Sequence, residues 1–159
     1  MDNLSTAAKL LEPDLYGKPD GPSRLFDSWV AGKVQDTDLR GLVPLTWLYN
    51  DSPEHVIGAR NWMRLFRAGG FMIHPTSLTR PVGSLTVFRG ATEERSRGMA
   101  WTETPEMAGH FRQRHVTFGK AHIYRATLDA MAILALFERR GEGREFVLDP
   151  EQAEITLVE

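Results

Sequence analysis

The sequence predicts an α+β protein in which a helical N-terminal segment precedes a core of short strands. Two patterns carry that reading. Apolar residues recur at helical spacing as far as Phe66, and from Phe71 onward Pro and Gly punctuate short runs of strand character. A third observation bounds the size: 159 residues, 42% hydrophobic and 25% charged, suffice for one globular unit with a sizeable core. The helical segment is placed at residues 1–80 and the strand-rich core at 81–159.

In chain order, Leu4 to Leu11 forms a short apolar stripe stopped by Pro13, and "DLYGKPDGPS" is a turn-rich connector. Leu25, Phe26, Trp29 and Val30 mark a second helix before Gly32, and a short helix or turn from Leu39 to Leu48 is expected to be interrupted at Pro44. The clearest helix opens at "DSPEH". Ser52 is its expected cap, Pro53 suits the first position, Val56, Ala59, Met63 and Phe66 form its stripe, and Gly69 ends it. Its basic face of Arg60, Arg64 and Arg67 reads as solvated.

Strands are expected at Leu85–Arg89, Met99–Thr102, His122–Thr127, Phe146–Leu148 and Ile155–Val158. Between the second and third, "TPEMAGHFRQR" is a helix with Thr104 as cap and Pro105 at its first position. The fragment "LDAMAILALFERRGEG" fits a buried strand or a short helix.

Composition excludes several chemistries. With no cysteine there is no disulfide, thiolate metal site or cysteine nucleophile. His110, His115 and His122 form no recognised ligand pattern, so no metal is expected. The formal net charge of -2 gives the whole chain no electrostatic case for nucleic acid, and no apolar run reaches the roughly 20 residues of a membrane helix. "MDNLSTAAKLLEPD" lacks the positive start and long apolar stretch of a secretory signal, so a cytoplasmic setting, in the producing or a target cell, is expected.

Three short stretches carry candidate chemistry. In "LTVFRG", Arg89 ends a strand as a rigid fork of donors suited to phosphate or carboxylate, and Gly90 admits close approach to bare backbone. An ion pair at a strand end explains Arg89 as well. In "GMAWTETPEMAGHF", Thr104 is a cap, Thr102 has no such local duty, and Trp101 suits the core beside Met99 and Met107. In "GEGREFVLDP", Glu145 shares a strand face with Val147; in a cleft its carboxylate holds a hydroxyl or stabilises positive charge, and facing water it is only a strand-edge charge.

The order of these pieces resembles the arginine-serine-glutamate class of ADP-ribosyltransferases, and "WTETPE" looks like the small actinobacterial and phage-type proteins of that fold, toxins and effectors among them. The resemblance covers about Leu85 to Glu159. It implies a split pair of small, mostly antiparallel sheets around a cleft for NAD, which is a substrate that gives up ADP-ribose and releases nicotinamide without a metal. By position, Arg89 matches the arginine that binds the phosphate or ribose side of NAD and braces the site, and Gly90 would offer backbone hydrogen bonds to the nicotinamide amide. Thr102 and Thr104, with Trp101 before them, fall on the polar motif that orients the arginine and the glutamate. Glu145 matches the catalytic glutamate, which stabilises the charge on the ribose as nicotinamide leaves; Phe111 and Phe118 are stacking candidates by location.

In arginine-modifying relatives an acid or amide stands two residues before that glutamate. Here the position is Gly143, with Glu142 one place too early, which speaks against arginine as acceptor. The acceptor is unspecified, a protein being favoured over nucleic acid, and no membrane partner is expected. An alternative is a catalytically degenerate member of the fold that binds a protein partner through Trp29, Trp47 and Trp62. A nucleic-acid binder through Arg112, Arg114, His115 and Lys120 ranks last.

Overall fold

A computed structural model describes residues 3–139 and 143–158, with the side chains of His115 and Phe118 excepted. Glu142 therefore lies outside the described residues. The chain divides into two compact units, Met1–Met72 and Ile73–Glu159.

The first unit is helical, with α1 Thr6–Leu11, α2 Gly21–Val30, α3 Asp36–Leu48, α4 Pro53–Ile57 and α5 Ala59–Gly69. Ser5 caps α1, its hydroxyl accepting from the Ala8 N–H, and donates in turn to Asp38 Oδ2 at 2.9 Å. Asp38 also accepts from the Ser5 and Gln35 backbone N–H groups at 2.8 and 2.9 Å. This buried carboxylate thus ties the starts of two helices together. Trp47, Trp62 and Phe66 build the aromatic core, Trp47 meeting the other two edge-on at centroid distances of 5.0 and 5.4 Å.

Two sequence expectations change here. The helix α3 runs through Pro44 without a break, because the residue is buried on the apolar face with Leu42 and Val43 while the carbonyl it leaves without a helical donor belongs to the exposed Arg40. The helix expected from Pro53 to Gly69 is two helices. Gly58, at φ +82°, breaks it and resets its phase, so Trp62, Leu65 and Phe66 are buried and Ala59 is exposed. Ser52 makes no side-chain cap bond. Arg60, Arg64 and Arg67 are exposed as expected, Arg64 lying over the rings of Phe26 and Trp29.

The sheet contains β1 Met72–His74, β2 Ser84–Thr92, β3 Ala100–Thr102, β4 Ala121–Asp129, β5 Ala135–Arg139, β6 Gly143–Val147 and β7 Glu154–Leu157, in the order β1-β5-β6-β3-β2-β4-β7. The five expected strands are present. The ambiguous fragment resolves into a one-turn 3-10 segment and strand β5, and β1 was not anticipated. The strands form one open sheet where two were expected. Its weak seam lies between β2 and β3, which share the single register pair Phe88↔Thr102, whereas β2 and β4 pair along their whole length. Helix α6, Pro105–His115, packs on β2. Gly90 permits that contact: a Cβ there would run into the Ala108 carbonyl oxygen and the Arg112 backbone nitrogen. No helix among the described residues is long and apolar enough to cross a membrane.

Candidate active site

The register brings sequence-distant residues into one row. Phe88 of β2 stands opposite Thr102 of β3, Thr102 opposite Glu145 of β6, and Glu145 opposite Phe137 of β5. Directly opposed residues of antiparallel strands project from the same face, so Thr102 and Glu145 are side-by-side neighbours. Gly90, two residues beyond Phe88, shares this face, so α6 packs on the same side of the sheet.

This row borders a pocket. Arg89, Gly90, Trp101, Thr102, Phe111 and Glu145 all line it, together with Phe88, Ala100, Arg139 and Arg144. Thr104 is not in the lining, and the side chain of Phe118, the other stacking candidate, lies outside the described residues. The Thr104 hydroxyl accepts from the Met107 N–H at 3.1 Å as the cap of α6, and that cap directs the helix carrying Phe111.

Arg89 is a brace. Its Nε donates to the Arg95 carbonyl and its Nη1 to the Ala100 carbonyl, both at 2.8 Å, and the guanidinium lies against Gly98 where any side chain would collide with it. It thereby bridges the seam where the β2–β3 ladder stops. Its cross-strand neighbour Tyr124 stays neutral, its phenol pushed up by burial and then by the negative charge of Glu93. Trp101 is buried, as its place beside Met99 and Met107 suggested, with its indole N–H donating to the Gly98 carbonyl at 2.8 Å.

Glu145 is 9% exposed, and its Oε1 receives Arg139 Nε and Nη2, each at 3.3 Å. Thr102 is 3% exposed, and its Oγ1 is buried with no hydrogen-bond partner. An orphaned buried hydroxyl is costly, and beside a carboxylate in a pocket it is an acceptor and donor waiting for a polar ligand. This donor set suits a hydroxyl-bearing ligand. No group of acids and histidines among the described residues is placed to hold a metal ion.

Arg139 and Arg144 are the charged lining residues that sequence reasoning missed, with Phe88 and Ala100 beside them. Arg144 donates to Glu103 Oε2 from Nε at 3.0 Å and from Nη2 at 2.7 Å. The other oxygen of Glu103 borders Gly143, which has φ +72° and whose Cβ would lie 3.5 Å from it. Had "ALFER" been read as a strand pairing with "GREFV", alternation would have put Arg139 on the face of Phe137 and Glu145. Compared with protein-family models, curated proteins and solved structures, the chain has no match in any of the three.

Proposed function

We propose that the pocket binds NAD and that the protein transfers ADP-ribose from it to an acceptor, releasing nicotinamide, on an ADP-ribosyltransferase-like sheet. The observation that carries this reading is the unpartnered Thr102 hydroxyl beside the buried Glu145 carboxylate. The three motifs that carry the resemblance also lie on β2, β3 and β6, which are neighbours in the sheet despite their separation in sequence.

In this reading Thr102 and Glu145 hold the hydroxyls of the nicotinamide ribose. The glycosidic C–N bond breaks with its electron pair leaving on nicotinamide, and the fixed carboxylate stabilises the positive charge that builds on the ribose. The acceptor then forms the new bond to that carbon and gives up its proton to solvent. Phe111 provides an apolar wall for the nicotinamide ring, while Arg89 keeps β2 and β3 in register around it. The partner-binding alternative loses two of its three tryptophan anchors, since Trp47 and Trp62 are fully buried.

The test is incubation of the purified protein with labelled NAD and cell lysate, following nicotinamide release and label on macromolecules. Transfer of label supports the proposal and supplies the acceptor; release without label narrows it to NAD hydrolysis. Neither turnover nor calorimetric NAD binding would return the protein to the partner-binding class.

A further inference from the structure

The row that joins Glu145, Thr102 and Phe88 does not end at the pocket. It continues across the sheet to Arg125 of β4, directly opposite Phe88, and then to Thr156 of β7, directly opposite Arg125. Opposed residues of antiparallel strands project from the same face, so Arg125 stands on the face of Thr102 and Glu145. Neighbouring strands lie about 5 Å apart, which puts Arg125 two strands, or about 10 Å, from Thr102. Helix α6 covers this face at Gly90. Ile123, opposite that glycine, is buried, whereas Arg125, two residues further along β4, is exposed.

Arg125 differs from the arginines of the lining. Arg89 donates to two backbone carbonyls and Arg144 to Glu103, whereas the Arg125 guanidinium has no hydrogen bond or ion pair among the described residues. Its cross-strand neighbours, Phe88 and Thr156, are uncharged, and Glu154, on the same face, stands opposite Thr127 instead. The pocket is lined from β2, β3, β5, β6 and α6 and not from β4, so half-buried Phe88 is its rim on this side and Arg125 lies just outside it. A ligand that reaches over Phe88 meets a planar fork of donors, the side chain best matched to a phosphate.

We propose that Arg125 holds the diphosphate of the dinucleotide, which lies across β3, β2 and β4 with its nicotinamide ribose at Thr102 and Glu145 and its phosphates beyond Phe88. This rests on the NAD reading above. Within one nucleotide the ribose hydroxyls and the phosphate hang from opposite edges of the sugar, which matches two side chains that approach it from starting points about 10 Å apart. Because Arg125 has no protein partner to give up, its bonds to the phosphate count toward affinity. The site therefore selects phosphorylated ligands over the bare nucleoside.

The experiment is calorimetric titration of NAD, nicotinamide mononucleotide and nicotinamide riboside into the wild type, Arg125→Gln and Arg125→Lys. Arg125 is exposed, so the variants are expected to keep the fold, and circular dichroism checks this. Arg125→Gln is expected to bind NAD and the mononucleotide about tenfold more weakly than the wild type and the riboside equally well. Arg125→Lys, which keeps the charge and loses the fork, falls between the two for the phosphorylated ligands. Thr102→Val, at the other end of the same ligand, is expected to weaken all three, and its loss adds to that of Arg125→Gln in the double variant. NAD bound equally by wild type and Arg125→Gln overturns the assignment of Arg125 and leaves the NAD reading standing. A loss of riboside binding in Arg125→Gln as large as the loss of NAD binding also overturns it, by showing that the change acts through the sheet. NAD bound by none of the proteins overturns both.

Discussion

Thr102 and Glu145 face each other across β3 and β6, a buried hydroxyl without a partner beside a buried carboxylate. Nothing in fold stability asks for that hydroxyl. Its cost to the fold and its use to a ligand can be separated by substitution.

Thr102→Val keeps the branched shape and removes the orphaned oxygen. The fold is expected to gain about 1 kcal/mol, since an unsatisfied buried polar group costs about 1–3 kcal/mol, and NAD binding is expected to weaken. Urea denaturation and calorimetry read the two effects. A variant that loses stability would show that the hydroxyl has a partner in solution.

Two glycines, one facing α6 and one within it, give opposite predictions. Gly90→Ala places a methyl against the Ala108 carbonyl and the Arg112 backbone and is expected to destabilise by about 1–3 kcal/mol or more, as overpacking does. Gly109→Ala meets nothing within 4 Å inside the helix, so it is expected to stabilise by up to about 1 kcal/mol. Melting temperatures of the two variants check the contrast. A neutral Gly90→Ala would mean that α6 sits farther from β2.

Asp38 makes the helical unit sensitive to acid. Burial raises its carboxyl, but the bonds from the Ser5 N–H, the Gln35 N–H and the Ser5 hydroxyl outweigh burial and hold it below its ordinary value. A depressed folded value contributes stability above the unfolded value of about 3.9, and that stability is lost as pH falls from there through the folded value. Asp38→Asn is therefore expected to cost about 1–3 kcal/mol at pH 7 and to flatten the loss as pH falls from about 4 through the folded value. Denaturation midpoints at the two ends of that window check the sign; an Asn variant with wild-type acid sensitivity would reject it.

Much of the sheet was legible because strands such as "LTVFRG" and "HIYRAT" have β-type residues bounded by turn signals. Thr104 was legible because a cap is a local device that needs only its own helix. Strand β5 was not, since the continuous apolar run in "AILALFE" has no period to separate strand from buried helix. Losing β5 also hid Arg139, which comes to Glu145 only through the β5–β6 pairing. The backbone role of Gly90 and the bracing of Arg89 depend on α6 and on the seam, contacts that no local pattern encodes.

The most direct measurement is nicotinamide release from NAD by the purified protein beside Glu145→Gln, with NAD binding to both measured by calorimetry. The expected result is release by the wild type and a loss of about 100-fold or more in the variant, which still binds NAD. Equal release by both proteins, or a wild type that does not bind NAD, would contradict the assignment of Glu145 and of the pocket.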